Sequence, residues 1–206
     1  KELVYPEVFE LCDITTIYKK KGSKNDFKNY RGIFGTSVFR YILDKLIYND
    51  MYDVIDENLT DSNVGCRKGR NICDNIFVIN AIENSVIKNE SKPVDLQIYD
   101  VTTCFDKLDL NECIMDLYDA GFTNDKLNLL YLENKKCNIS VKTSSGKSKR
   151  KYINDIVLQG TLWSGLMCAT SMDKLAKDAY ENHTTYLYKG KEEVAPLEMV
   201  DDILVP

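Results

Sequence analysis

Residues 199–202, Met199-Val200-Asp201-Asp202, set two adjacent carboxylates four residues before the last one, Pro206. A third carboxylate, Asp100, lies about a hundred residues earlier in YDVTTCFD, residues 99–106. Phosphoryl transfer with two metals needs oxygen ligands that bridge ions about 3.5–4 Å apart. Mg²⁺ takes few protein carboxylates and completes its shell with phosphates and water. Asp100 at the end of one strand, with Asp201 and Asp202 on a neighbouring hairpin, makes such a set for two Mg²⁺ ions, with Mn²⁺ as a substitute. An Asp pair in a turn is common for its own sake. Order and context must therefore decide.

Working outward from the aspartates, Pro93 opens the strand VDLQIY, which delivers Asp100. Asp109 and Glu112 read as an N-cap and its capping-box partner for a helix ending at Gly121. A second helix follows over 124–134. Strands at 137–143 and 151–158 flank SSGKS, and a helix runs over about 163–181. The chain closes with strands at 184–188 and 195–199, then the Asp pair. Toward the N-terminus, DITTIY (13–18) and RGIFG (31–35) read as two strands around a polar turn, a basic β-hairpin. Residues 37–58 and 71–88 carry apolar residues at helical spacing, the first with a break expected near Asn49-Asp50. Strands and helices mix without strict alternation and the last strands form hairpins, so the fold class is α+β, an antiparallel sheet covered by helices.

Composition is that of a globular domain: 206 residues, 44% hydrophobic and 29% charged. No apolar run has the length of a membrane span, so no membrane partner is expected. The first residue is Lys1 and no signal peptide follows, so the chain reads as cut from something longer. Seven cysteines, an odd number without CxxC pairs, fit a reducing, intracellular setting in cytoplasm or nucleus. Net charge is −5, yet six basic residues crowd 19–31 and seven crowd 135–151. Arg67, Lys68 and Arg70 form a third cluster. Such patches can hold phosphates on an acidic chain, because screening confines each to about 8–10 Å. Gly146-Lys147-Ser148 tempts a phosphate-loop reading, but the pattern needs Gly where Val141 stands. A hairpin turn is the better reading.

YDVTTCFD, then Gln159-Gly160 in VLQGTLWSG, then MVDD resemble, in this order, motifs A, B and C of reverse transcriptases. YKKKGSKNDFKNYRGI (18–33) and VGCRKGRNICDNIF (64–77) are similar to the fingers of reverse transcriptases from non-LTR retrotransposons. The resemblance spans nearly the whole chain. It implies a right-hand polymerase fold with fingers over 1–93 and palm over 94–206, the 135–151 hairpin being finger-like. It implies RNA-directed DNA polymerase activity with an RNA template, a DNA primer and dNTPs as partners. Asp100, Asp201 and Asp202 match the catalytic triad, Asp100 and Asp201 as the stronger metal ligands, with the carbonyl of Val101 joining the metal site. Phe105 matches the aromatic steric gate that leaves no room for a 2′-hydroxyl. Arg31 and one of Lys19 or Lys20 match finger cations that meet the triphosphate, and Gln159 and Gly160 the segment packed on template and incoming base. Arg67, Lys68 and Arg70 are expected to steer the template backbone.

Three departures stand out. Met199 replaces the usual aromatic two before the Asp pair, Trp163-Ser164-Gly165 lacks the family's Pro, and Thr103-Cys104 replaces Lys-Ala before the gate. None removes a metal ligand. The chain is expected to stop after motif C, without a thumb, and to be weak or inactive as an isolated fragment. The alternative reading is a catalytically inactive nucleic-acid-binding remnant of a retroelement, with strongly salt-dependent binding.

Overall fold

In a computed structural model, residues 5–90, 95–123, 125–143, 145–200 and 202–206 are described. The β-branched run in ITTI forms β1 (Leu11–Tyr18). The Lys-rich loop then turns the chain back into β2 (Tyr30–Thr36), antiparallel, with Ile14 opposite Phe34 and Ile17 opposite Arg31. Alternation sends Cys12 and Phe34 to a small core with Cys137 and Leu158, and leaves Thr15, Ile17 and Arg31 exposed.

Ser37 caps α1 (Val38–Glu57), its hydroxyl accepting from the Arg40 amide at 3.2 Å. The helix runs through Asn49-Asp50 without the expected break. Asn and Asp cost at most about 0.7 kcal/mol each inside a helix. Burying Tyr48 and Tyr52 on either side outweighs that. The buried face also differs from the apolar periodicity: Val38, Phe39, Ile42 and Leu46 are exposed, while Arg40, Asp44, Tyr48 and Tyr52 are buried. Helix α2 (Ile72–Glu90) starts on a reciprocal cap. Asn71 accepts from the Cys73 amide at 2.8 Å, and Asp74 accepts from the Asn71 amide at 3.0 Å.

Strand β3 (Gln97–Asp100) leads into the single turn α3 (Cys104–Lys107) and then α4 (Leu110–Asp119). The Asp109 carboxylate caps α4, accepting from the amides of Asn111 and Glu112 at 2.8 and 3.1 Å. After α5 (Asp125–Lys135) come β4 (Lys136–Thr143), β5 (Gly146–Lys147) and β6 (Lys151–Asn154). Gly146-Lys147 pairs back onto Lys142-Thr143, so the segment is a hairpin. The strand expected over 151–158 ends at Asn154. Helix α6 (Ser164–Glu181) is followed by β7 (Tyr186–Tyr188), β8 (Glu192–Val194), β9 (Leu197–Met199) and β10 (Asp202–Val205).

One mixed sheet runs β2-β1-β4-β5, with β6 also on β4 and β1 parallel to β4. A second, antiparallel sheet runs β3-β10-β9, and β7-β8 form a separate ribbon. The main core lies among α1, α4, α5 and α6, where Tyr48, Leu117, Phe122, Leu130 and Trp163 meet. Each such fully buried large side chain contributes about 1.5–3 kcal/mol. This core carries α6, and α6 carries the second sheet. Among the described residues no helix is long and apolar enough to cross a membrane.

Candidate active site

Strands β9 and β10 pair with Met199 opposite Asp202, so Val200 opens the tight connection between them. The favoured tight hairpin turns need a positive φ at their first position, to match the twist of the strands. Val200 supplies it at φ 62°. A β-branched residue pays about 1–3 kcal/mol for that conformation. Thr103, just beyond β3, is a second case at φ 56°. The two strained β-branched residues thus flank the strand ends that carry the carboxylates.

Across the sheet, Asp202 pairs directly with Asp100. Opposite residues of an antiparallel pair lie about 4.5–5.5 Å apart at Cα and point to one face. Both residues are exposed. Like charges set opposite each other destabilise a sheet. A divalent cation bound by hard oxygen donors removes that repulsion, so the donor chemistry fits Mg²⁺. Asp201 lies outside the described residues. Val101 follows Asp100 directly and is half-buried. Among the described residues, no three carboxylates, thiols or imidazoles gather into a metal cluster.

A cavity of about 410 Å³ joins Phe105 to Gly160. Tyr41, Tyr48 and Cys66 from the first third of the chain complete it, with Thr161, Leu162 and Ser164–Leu166. Gly160 has φ 96°, and a Cβ there would lie 2.8 Å from Ile33 Cγ2. Only Gly fits, on both counts. The Gln159 carbonyl accepts from the Phe34 amide at 3.0 Å and so ties the segment to β2. Trp163 anchors it below, edge-on to Tyr48 and Phe122. Burial pushes Tyr48 up to about 12 and raises the Cys66 thiol, so neither wall group is a base at neutral pH. Tyr41, Tyr48 and Cys66 escaped the sequence reading. The signal for Cys66 was its place in the GCRKGR loop; Tyr41 sat unremarked among the apolar residues of α1.

The basic residues divide. Arg31 is exposed on the face of β2 that also carries Ile33, the neighbour of Gly160. Lys19 and Lys20 are exposed at the hairpin tip, Lys19 donating to the Lys28 carbonyl at 3.1 Å. None of the three lines the cavity. Arg67, expected to steer template, is turned inward. It donates to the Asp56 carboxylate at 2.7 Å and to the carbonyls of Thr60, Asn63 and Asp56 at 2.6, 2.9 and 2.9 Å. It is a structural clasp, because buried carbonyls need donors more than the surface needs a cation. Lys68 lies over the Tyr52 ring, 3.9 Å from its centre, and Arg70 pairs with exposed Asp61.

The sequence profile of the reverse transcriptase (RNA-dependent DNA polymerase) family matches residues 18–205. A comparison by sequence with proteins of curated function gives no match. Solved structures give several. Apo telomerase from Candida tropicalis matches with a TM-score of 0.62 at 13% identity, covering 99% of this chain and 41% of that one. Telomerase from Candida albicans in complex with a TWJ fragment of telomeric RNA matches with a TM-score of 0.58 at 15% identity, covering 97% and 38%. A Candida tropicalis telomerase truncated from its C-terminal domain matches at 0.56 and 18%, covering 99% and 44%. The chain therefore spans less than half the length of these structures. At such identities the likeness shows the fold, which is the α+β fingers and palm of a right-hand polymerase.

Proposed function

Since this chain belongs to the reverse transcriptase (RNA-dependent DNA polymerase) family, we propose that it performs RNA-directed DNA polymerisation for a retroelement. The observation that carries the reading is the direct pairing of Asp100 with Asp202, a repulsive contact that bound metal makes useful. Two Mg²⁺ ions, when bound, supply the positive charge that activates the primer hydroxyl and stabilises the leaving pyrophosphate. Asp100, Asp202, Asp201 and the Val101 carbonyl would hold them. Phe105 forms the floor beneath the sugar and excludes a 2′-hydroxyl. Gly160 lets the base pair approach the backbone, while Gln159 supports it. Arg31 grips the triphosphate as a fork, and Lys19 and Lys20 add point charges. Lys68 and Arg70 follow the template backbone; Arg67 holds the loop that presents them.

In this reading residues 1–93 act as fingers and 94–206 as palm. The 135–151 hairpin serves the fingers, consistent with β4 lying beside β1. Partners are an RNA template, a DNA primer and dNTPs, in an intracellular setting. The non-LTR type is supported by the finger segments YKKKGSKNDFKNYRGI and VGCRKGR. The test is RNA-templated primer extension with Mg²⁺. The complete reading frame that carries this chain extends with dNTPs, and its Asp100→Asn variant does not. RNA binding without extension by that complete protein overturns this reading in favour of an inactive binding remnant.

A further inference from the structure

The strained turn at Val200 is held from behind by the loop 62–67. Asn63 is fully buried and uses its whole amide. Its nitrogen donates to the Ala169 carbonyl in α6 and to Glu198 Oε2 in β9, each at 2.9 Å. Its oxygen accepts from the Gly65 amide at 3.1 Å. The backbones lock as well: the Glu198 amide donates to the Ser62 carbonyl at 2.9 Å, and the Val64 amide to the Glu198 carbonyl at 3.0 Å. Gly65 then lies flat against the turn. A Cβ on it would stand 2.6 Å from the Val200 nitrogen. Behind the same peptide, Cys168 Sγ lies 3.9 Å from the Val200 carbonyl.

Left-handed backbone at a β-branched residue persists only where its surroundings over-determine it. Here the surroundings are specific: one buried amide, one glycine and one buried carboxyl. Building on the metal reading above, we propose that Asn63, Gly65 and Glu198 are positioning residues. They fix the Val200 turn, and through it set the Asp202 carboxylate against Asp100. The distance from β9 to β10 is short, so a shift at Val200 is passed directly to Asp202. Glu198 suits this role as a neutral acid. It is fully buried, and burial, then the charge of Asp173, pushes its carboxyl up to about 8. A neutral carboxyl accepts from Asn63 without leaving an unpaired charge in the interior.

The test measures Mn²⁺ binding to the chain by electron paramagnetic resonance, with melting curves recorded alongside. Outer-shell changes typically weaken metal sites about 10–100-fold. Gly65→Ala and Glu198→Ala are expected to bind Mn²⁺ about tenfold more weakly or worse. Glu198→Gln, which mimics the neutral acid, stays within about twofold. Val200→Gly adopts the left-handed turn without strain, so added to Glu198→Ala it is expected to restore most of the lost Mn²⁺ affinity. A merely structural role would move stability and affinity together and give no such rescue. Unchanged Mn²⁺ affinity in Gly65→Ala and Glu198→Ala overturns this inference and leaves the functional reading standing. A parent chain without saturable Mn²⁺ binding overturns both.

Discussion

Asp100 facing Asp202 costs the sheet stability, and Asp202→Asn should return some of it. Relief of a like-charged cross-strand pair is worth about 0.2–1 kcal/mol. Urea unfolding without divalent cation should show Asp202→Asn more stable than the parent, and Mg²⁺ should stabilise the parent alone. The gate is a second residue-scale matter. Phe105 lines the cavity shared with Gly160. Phe105→Ala is expected to cut the preference for dNTP over rNTP by at least about tenfold, since one hydrogen-bonding or steric contact is worth roughly 1–3 kcal/mol. Unchanged discrimination in single-nucleotide incorporation removes Phe105 from that role. Side-chain chemistry and motif order single these residues out in the sequence. The direction in which a side chain points was not legible. Arg67 sits beside Lys68 and Arg70 in one basic cluster, yet only Arg67 turns inward. Charge says nothing about which carbonyls a guanidinium will meet.

At the scale of elements, the hairpin of β1 and β2, the caps at Ser37 and Asp109, and the strand ending at Asp100 follow from local rules. Helix α1 does not. Its apolar positions Val38, Phe39, Ile42 and Leu46 face out, while Arg40 and Asp44 are buried beside Glu133. Periodicity finds a helix, but it takes the tertiary partners to say which stripe is covered. The loop 58–67 was equally opaque, because its order comes from contacts with α6 and β9. Its clasp gives a clear expectation. Arg67→Ala takes one donor from the Asp56 carboxylate, which keeps Tyr52, and leaves three carbonyls without the guanidinium. Asp56 is partly exposed, so the cost is that of lost hydrogen bonds to a charged group, about 1.5–3 kcal/mol. Denaturant unfolding should show that loss, and a cost below about 1 kcal/mol would refute the clasp. Lys68→Ala and Arg70→Ala should instead each lower the salt dependence of RNA binding by nearly one ion, with little change in stability.

For the molecule as a whole, two buried acids set a pH dependence. Burial, together with Asp44, pushes Glu133 up from 4.5 to about 9, with Arg40 opposing and Cys137 adding to the rise. Glu198, facing Asp173, Asn63 and Lys177, rises from 4.5 to about 8. The folded state keeps protons that the unfolded chain has released, so stability falls as pH rises between about 4.5 and 9. Melting temperatures should decline from pH 5 to pH 9, and Glu133→Gln should flatten the curve; a parent whose stability rises over that window contradicts this. The same interior supports α6, which carries the second sheet and its carboxylates. The claim that matters most is that Asp100 and Asp202 share one metal. Iron-directed cleavage reads it directly: Fe²⁺ with ascorbate and peroxide cuts backbone next to the bound ion. Cuts at both 99–101 and 200–203, suppressed by Mg²⁺ and absent in Asp100→Asn, are the predicted result. Cuts at only one of these segments, or elsewhere in the chain, would contradict the account.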